Sequence, residues 1–364
     1  MSKVKKKVTK KKSVVEELTI EDMDCVLETL RRMGKYEEEE IENLEVEVGD
    51  IGNALKSCRL KKMVSIGISV LRNGTIKGTE ERIIVTMREM NNTGLGVLEF
   101  SLKGLGKTGE NVKKAIKVNA EKYGVKVTVH APYYINLLND DVIIDKKGRE
   151  TKVRMSDFSK EILMNCIRSA HQMGAKRVVF HVGFYGKYKY EKDLALQKVE
   201  TELKEVMQRM EQEGIQDVIL SPETTGKKSI FGSLDELIMI AKDLDLNKIE
   251  PAIDIAHIYA RNNGKINYEE VIDKLKEASE EKRWYMHYTP VTISKKGELR
   301  HEGLSSMKPP DFNKLMQTII DKKIKVEIIN ESPRNIEDAI RLKKRTERLI
   351  EDVAVQDGMR MILE

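Results

Sequence analysis

The stretch VILSPETTG, residues 218–226, contains an apolar run that ends directly before an ionisable side chain, Glu223. Five further segments have the same form, with a histidine or a carboxylate after the apolar run: VTVHAPYYINL (127–137), VVFHVGFYG (178–186), AIDIAHIYAR (252–261), WYMHYTP (284–290) and VEIINESP (326–333). Short apolar runs bounded by turn-forming residues are typical of buried β-strands. We therefore predict that each segment is a strand with ionisable groups at its C-terminal end. These groups are His130, His181, Glu223, Asp254, His257, His287 and Glu331.

Helix-like segments of about 12 to 20 residues separate the predicted strands. This alternation predicts a parallel sheet, because each helix carries the chain back to the edge where the next strand begins. Eight strand–helix units in about 300 residues favour a closed (β/α)8 TIM barrel over an open sheet. The C-terminal ends of all strands lie on one face of such a barrel, which would bring the ionisable groups into one pocket. The predicted strands are residues 64–70, 96–102, 125–131, 177–183, 217–223, 249–255, 283–289 and 325–331.

The first sixty residues differ from the rest of the chain. MSKVKKKVTKKK (1–12) holds seven lysines and no acid, and the remaining residues carry a formal net charge of −2, which is the total of +5 less 7. Such a run predicts a disordered tail, which would either keep the protein in solution or hold nucleic acid loosely through phosphate contacts. Residues 13–60 place apolar side chains at helical spacing, such as Met23, Val26 and Leu30, and predict a small helical extension. The barrel domain is then residues 61–364.

Composition narrows the class of protein. Hydrophobic residues make up 40 % of the chain and charged residues 34 %, which is enough for both a sizeable core and a charged surface. No apolar run approaches the roughly 20 residues of a membrane span, and no apolar secretory segment follows the basic N-terminus. Cys25, Cys58 and Cys166 are odd in number and form no CxxC pair, so we predict reduced thiols and no disulfide. We expect a cytoplasmic monomer without membrane contact.

The ionisable groups at the strand ends are of the kinds that bind metal ions. Imidazole and carboxylate are the usual ligands of zinc and similar divalent cations. Six groups exceed the needs of one ion and suit two, with Glu223 as the bridge because its strand lies between the other ligands. The alternative is that each side chain is an isolated surface or helix-capping residue, as we expect for His171 in the helix-like SAHQMG. The six groups are His130, His181, Glu223, Asp254, His287 and Glu331.

The order of these motifs resembles the endonuclease IV family of apurinic/apyrimidinic (AP) endonucleases, within the xylose-isomerase-like barrel superfamily. The motifs are HAPYYINL, FHVG, PETTGK with FGSLDEL, IDIAHIYAR, MHYT, RHEG and NESP, and they extend over roughly residues 62–350. PETTGK and NESP indicate a divergent branch. The resemblance implies a metal-dependent hydrolase that binds damaged double-stranded DNA and cleaves the phosphodiester bond 5′ of an abasic site.

The resemblance also implies a role for each ligand. His130, His181 and Glu223 would hold one zinc ion, and Glu223, Asp254, His287 and Glu331 a second, with manganese as an alternative metal. Glu223 and Glu331 would be the catalytic carboxylates. For a third ion, His257 and His301 match two of the family's ligands, but Leu299 stands where the family has an aspartate. The adjacent Glu298 could substitute if the loop shifts.

For DNA contacts, Tyr133 matches a tyrosine that enters the minor groove beside the damaged site, and Tyr134 replaces its aliphatic neighbour. An arginine that the family inserts from the second-strand loop has no equivalent in SLKGLGKTG, where Lys103 or Lys107 could contact phosphate instead. The Asn-Asp pair that follows the seventh-strand histidine in the family is replaced by Tyr288 and Thr289.

Two other functions remain open. A sugar isomerase or epimerase could use the same barrel and a similar metal site, since a fold does not determine a function. A non-catalytic barrel could bind damaged DNA or a partner through the N-terminal residues. Activity on sugars would indicate the isomerase or epimerase. A metal content of less than about one ion per chain would indicate the non-catalytic barrel.

Overall fold

The computed structural model describes residues 20–42, 46, 48–70, 80–102, 109–144, 150–295 and 297–363. The predicted tail of residues 1–12 lies outside the described residues, as do Lys103 and Lys107. Eight parallel strands form one sheet with helices around it, preceded by a small group of helices. The predicted TIM barrel with a helical N-terminal extension is confirmed.

Every strand of the barrel lies inside the range predicted for it. Two short antiparallel hairpins, which the sequence did not predict, interrupt the loops on the C-terminal face. The strands are β1 (Val64–Val70), β2 (Val97–Ser101), β3 (Lys126–His130), β4 (Val142–Ile144), β5 (Glu150–Arg154), β6 (Arg177–Phe180), β7 (Ile219–Pro222), β8 (Ala252–Asp254), β9 (Arg283–Tyr288), β10 (Val291–Ser294), β11 (Gly297–His301) and β12 (Lys325–Asn330). The hairpins are β4–β5 and β10–β11.

The hydrogen-bonded strand order is β7-β6-β3-β2-β1-β12-β9-β8. Two isolated parallel bridges, Leu220 with Ile249 and Glu223 with Ala252, join the outer strands β7 and β8. They close the circle, and the second of them lies at the candidate site itself.

Helices connect the strands and form the outer layer. Ser233 begins one of them with a capping box in which its hydroxyl accepts the Glu236 N–H and the Glu236 carboxylate accepts the Ser233 N–H, as S-x-x-E predicts. The helices are α1 (Ile20–Met33), α2 (Glu38–Glu42), α3 (Val48–Met63), α4 (Glu80–Thr93), α5 (Glu110–Tyr123), α6 (Met155–Met173), α7 (Lys192–Gln212), α8 (Leu234–Leu244), α9 (Ile255–Arg261), α10 (Tyr268–Ala278), α11 (Phe312–Lys322) and α12 (Asn335–Leu363).

The alternation of side chains along each strand decides which residues face the barrel interior. A small apolar layer from five strands lies inside the barrel: Val97, Val179, Ala252, Tyr285 and Ile329. Because side chains two positions apart point to the same face, the residues two places further along these strands also point inward, nearer the C-terminal end. These residues are Glu99, His181, Asp254, His287 and Glu331.

A second set of polar side chains lies deeper in the barrel. Arg177 donates to Glu250 Oε1 at 2.8 Å and to Ser221 Oγ at 2.5 Å, and its guanidinium lies 4.8 Å from the Tyr285 ring centroid. The charges are buried but paired, which offsets part of their desolvation cost. The ionisable groups at the site therefore lie above a polar interior.

The N-terminal extension has its own apolar cluster, in which Val26 and Leu30 of α1 meet Ile51 and Ala54 of α3. Leu60 of α3 packs with Ile320 and Ile350 and so attaches the extension to α11 and α12. The boundary of the barrel domain stays a prediction.

The prediction of three reduced thiols is wrong for two of the cysteines. Cys25 in α1 and Cys58 in α3 form a disulfide, with their Cα atoms 6.0 Å apart. The packing of two amphipathic helices brings the cysteines together, and a separation of 33 residues gives no indication of this. Cys166 is a free, buried thiol, as predicted.

Among the described residues, the helices are all too short or too polar to cross a membrane.

Candidate metal centre

All eight predicted ligands lie on the C-terminal face of the barrel and are buried or nearly so. Six lie at the ends of barrel strands, His257 lies in the first turn of α9, and His301 ends β11 in the second hairpin. Their ligand atoms form overlapping groups in which every atom lies within 4.8 Å of the others: His130, His181 and Glu223; Glu223, Asp254 and His287; Asp254, His257 and His301.

Glu223, which is 1 % exposed, divides its two carboxylate oxygens between different histidines. Oε2 lies 3.0 Å from His130 Nε2 and 3.1 Å from His181 Nε2, while Oε1 lies 2.8 Å from His287 Nδ1. Each oxygen therefore has its own set of nitrogens. This is the arrangement that a bridge between two cations requires.

Asp254 and Glu331 complete the group around His287. Glu331 Oε1 lies 3.7 Å from His287 Nδ1. Asp254 Oδ1 accepts the backbone N–H of His257 at 2.8 Å and so caps α9. Asp254 Oδ2 is buried and accepts no hydrogen bond from the described residues, although His257 Nδ1 lies 3.3 Å away. A buried carboxylate oxygen without a partner is costly, and a cation beside it would remove that cost.

Glu298 joins His257 to His301 in the third group. Glu298 Oε2 lies 2.8 Å from His257 Nε2, and its Oε1 lies 3.0 Å from His301 Nε2. The register of β10 and β11 shifts between Thr292 and Ile293, which leaves Leu299 as the extra residue of a bulge. Leu299 is 65 % exposed, and Glu298 points inward at the place where the sequence comparison expected an aspartate.

Glu99 on β2 is a site residue that the sequence reasoning missed. Its carboxylate is fully buried and accepts three hydrogen bonds: from His287 Nε2 at 3.0 Å, from the Tyr285 hydroxyl at 2.9 Å and from Ser69 Oγ at 3.1 Å. A carboxylate inside the apolar run GVLEFSL, at an inward-facing position, was the signal that could have identified it. Because Nε2 of His287 is engaged, Nδ1 is the nitrogen that faces the centre.

The electrostatics of the site favour a bound cation. Burial lowers the pKa of His181 to about 4, despite the attraction of Glu223, so this imidazole is neutral at neutral pH. For His130, Glu223 outweighs burial and raises the pKa to about 9, so a cation bound there would have to displace a proton. Burial, and then the charges of Glu223 and Glu331, raise the pKa of Asp254 to about 6 against the attraction of His257. For Glu223 the histidine charges and hydrogen bonds outweigh burial and hold the pKa well below its usual value. Crowded carboxylates of this kind are stabilised by positive charge.

A cavity of about 530 Å³ opens above the ligands. Tyr133 and Tyr134, predicted to contact DNA, line its mouth with side chains that are 83 % and 44 % exposed. Ala131 and Pro132 come between them and the candidate ligand His130, so the same strand end positions the tyrosines and His130.

Two other replacements do not reach the cavity. Tyr288 is buried and donates to Pro310 O at 2.9 Å, and Thr289 is buried in the loop that follows. His171 lies outside the centre, where its Nδ1 is 2.7 Å from Asp217 Oδ1.

Comparisons with known proteins agree with the fold. In sequence, the chain is 28 % identical to an uncharacterized protein of Methanocaldococcus jannaschii over 277 residues, which are 73 % of this chain and 91 % of that protein. It is 25 % identical to a probable endonuclease 4 of Mesomycoplasma hyopneumoniae over 152 residues, which are 41 % of this chain and 48 % of that protein.

Two solved structures have the same fold. Endonuclease IV from Thermus thermophilus matches 79 % of this chain and 99 % of its own, with a TM-score of 0.56 and 17 % identity. A D-tagatose 3-epimerase-like protein matches 80 % of this chain and 99 % of its own, with a TM-score of 0.58 and 18 % identity. The similarity to endonuclease IV that the motifs indicated is thus confirmed at the level of the fold, and an epimerase fold is equally similar.

Residues 88–349 match the family described as xylose isomerase-like TIM barrel. This match covers most of the barrel, including every predicted ligand. The chain therefore belongs to the xylose isomerase-like TIM barrel family.

Proposed function

We propose that this protein is a metal-dependent phosphodiesterase that cleaves damaged double-stranded DNA on the 5′ side of abasic sites, in the manner of endonuclease IV. The observation that carries the proposal is the placement of Glu223, with two histidines at one carboxylate oxygen and a third at the other. A centre with this many ligands has room for two or more cations, which suits an in-line displacement at phosphorus with one cation at the attacking oxygen and one at the leaving oxygen. The sequence similarity to a probable endonuclease 4 supports the same assignment.

In the proposed reaction, water attacks the phosphorus, the P–O3′ bond breaks and the 3′-oxygen takes up a proton. Bound zinc, or manganese in its place, would supply positive charge for the phosphate and lower the pKa of the attacking water. His130, His181 and Glu223 would hold one ion, and Glu223, Asp254, His287 and Glu331 another. Glu331 lies at the edge of the cavity, where its carboxylate would orient the water.

The surroundings of the cavity suit DNA. Tyr133 and Tyr134 lie with their ring centroids 5.9 Å apart and close to perpendicular, and both are exposed. Exposed aromatic rings next to a catalytic cavity can enter a groove and stack on bases. An abasic nucleotide can turn into the cavity at low cost, because it has no base to unstack.

A sugar isomerase or epimerase is the second candidate. Glu223, Asp254, His287 and Glu331 alone are enough ligands for one cation, and the cavity of about 530 Å³ is of a size that small molecules occupy. In that case His130 and the third group with Glu298 would have no role in catalysis.

The test is cleavage of a duplex with one abasic site by the zinc-loaded protein, beside the undamaged duplex and a panel of ketoses and aldoses. We expect cleavage at the abasic site that chelation abolishes. Glu223→Gln should reduce the rate by more than about a hundredfold, since it removes a direct ligand and the loss exceeds that for residues that only orient a ligand.

Glu211→Gln provides a matched control, because Glu211 is an exposed carboxylate at the C-terminal end of α7, far from the centre. Unchanged thermal unfolding of both variants would show that they fold. Cleavage by Glu223→Gln at the wild-type rate would exclude the mechanism, and turnover of a sugar without cleavage would favour the second candidate.

A further inference from the structure

A second cavity, of about 460 Å³, lies beside the metal centre on the same face of the barrel. It is formed by the loops after β6, β7 and β8 and by the β10–β11 hairpin. The side chains that define it are Phe184, Lys227, Lys228, Arg261, Asn263 and Lys295.

The lining of this cavity is positively charged. Lys227, Lys228 and Lys295 are exposed, and no carboxylate lies among its described lining residues. In the described ranges, no ion pair involves any of these three lysines, whereas Lys198, for example, is paired with Asp140 at 2.8 Å. Three unpaired lysines around one concavity produce a positive potential that attracts an anion.

Arg261 fixes the loop that carries two of the lysines. Its side chain is only 13 % exposed, and its Nη1 donates to Lys227 O at 2.7 Å, to Ile230 O at 3.0 Å and to Thr225 Oγ1 at 3.1 Å. The Ile230 N–H also donates to Lys227 O, which closes the turn. The lysines therefore extend from a rigid base.

A single residue, Gly226, separates this cavity from the third ligand group of the candidate metal centre. A Cβ atom on Gly226 would lie 3.3 Å from His257 Cδ2 and 3.4 Å from Glu298 Cβ. On the other side, Gly297 adopts a φ of +109°, and a Cβ there would lie 2.6 Å from Gly226 O. The two glycines thus allow the loop that carries Lys227 and Lys228 to pack directly against the β10–β11 hairpin, next to the third ligand group.

We propose that the lysine-lined cavity binds a backbone phosphate of the nucleic acid, close to the bond that is cleaved. This inference rests on the proposed function. Phosphates recur at short, regular intervals along a strand, so a strand with one phosphate at the metal centre presents others just outside it. Phe184, which is 53 % exposed, offers a face on which a sugar or base can lie.

The test compares the double variant Lys227→Glu/Lys228→Glu with Lys204→Glu/Lys242→Glu. The control makes the same change of charge at exposed lysines on the outer helices α7 and α8. Two measurements are made on the full-length, zinc-loaded proteins over a series of salt concentrations: kcat and KM on the abasic duplex, and binding to an undamaged duplex by fluorescence anisotropy.

For the cavity variant we expect about tenfold weaker binding, and a slope of log affinity against log salt that is smaller by about 1 to 2, because phosphate contacts release counterions. KM should rise while kcat and the metal content stay near the wild-type values. A cavity variant that matches the control in binding, slope and KM would overturn the inference and leave the proposed function intact. Loss of duplex binding in the cavity variant, with no wild-type cleavage, would support the phosphate site and reject the proposed reaction.

Discussion

Glu99 lies directly beneath the candidate metal centre, where its carboxylate accepts hydrogen bonds from His287, Tyr285 and Ser69. Burial alone would raise the pKa of Glu99, but the charge and hydrogen bond of His287 outweigh burial and lower it. The carboxylate is therefore ionised and accepts a proton-bearing Nε2 from His287. Nδ1 lies 2.8 Å from Glu223 Oε1, and the surrounding carboxylates, against burial, raise the pKa of His287 well above its usual value, so a cation shared with Glu223 would take the place of the Nδ1 proton. Partners of this kind orient the ligand and increase its basicity.

Replacing Glu99 by glutamine should weaken cation binding without preventing folding. Glutamine keeps the shape and the acceptor oxygen but loses the charge, so we expect the affinity for zinc to fall by about 10- to 100-fold. Competition with a chromogenic chelator measures this without reference to activity. Glu327→Gln, another buried carboxylate on an inward-facing position, is the control, and it pairs with Lys126 away from the ligands. Equal zinc affinities in the two variants would show that Glu99 has no positioning role.

At the residue scale, sequence patterns identified most of the candidate ligands because these residues end or follow an apolar run, whereas His301 was assigned only through the family resemblance. Glu99 escaped this pattern because it lies within its run, where only the alternation of inward and outward positions marks it. Glu298 was named only as a neighbour of Leu299, since the bulge that turns it inward depends on how β10 and β11 pair. A register shift of this kind has no signature in the letters KKGELRH.

The β10–β11 hairpin is the element that adds Glu298 and His301 to the third group. Its bulge turns both Glu298 and His301 toward His257, although they are three residues apart in the chain. In a regular strand, residues three apart would point to opposite faces. The hairpin thus provides a carboxylate, that of Glu298, in place of the family's aspartate, whose position is occupied by Leu299.

We expect the wild-type protein to hold three zinc ions and Glu298→Gln to lose one of them. The variant removes the carboxylate between His257 and His301 and leaves the ligands of the other two ions in place. Native mass spectrometry counts the ions directly. Leu299→Ala is the control, because the Leu299 side chain is exposed and should not affect the count. A wild-type stoichiometry of two, or an unchanged count in Glu298→Gln, would contradict the prediction.

Among the elements, strands were predicted more accurately than the loops between them. The barrel strands are buried on both sides and mostly apolar, and so each is a distinct run in the sequence. The hairpins β4–β5 and β10–β11 are short, β5 and β11 carry charged residues, and β4–β5 is largely exposed, so their residues resemble ordinary loop. Their pairing follows from the tertiary structure around them.

For the whole molecule, the helical extension is held to the barrel by Leu60 and to itself by the Cys25–Cys58 disulfide. The extension lies against α12, which follows β12, so it packs on the outside of the barrel and away from the ligands. Its stability and the chemistry of the centre should therefore be separable.

Substitution of both cysteines, Cys25→Ser with Cys58→Ser, should destabilise the extension by about 3 to 4 kcal/mol, as expected for a bond that closes a loop of 33 residues. Limited proteolysis should cut within residues 20–63 sooner than in the wild type, and a reductant should have the same effect on the wild-type protein. Zinc content and cleavage rate should remain at wild-type levels. Equal protease resistance with and without reductant would contradict this prediction.

The seam between β7 and β8 has a mechanical consequence. The other neighbouring strands are joined by continuous ladders, but here the backbone contributes only the bridges at Leu220 and Glu223. Glu223 and Asp254 lie on opposite sides of this seam. An ion shared by their carboxylates would link the two strands where neighbouring strands share the fewest backbone hydrogen bonds. Loss of the cation would then weaken the closure of the whole barrel, so the cation would stabilise the fold that holds it.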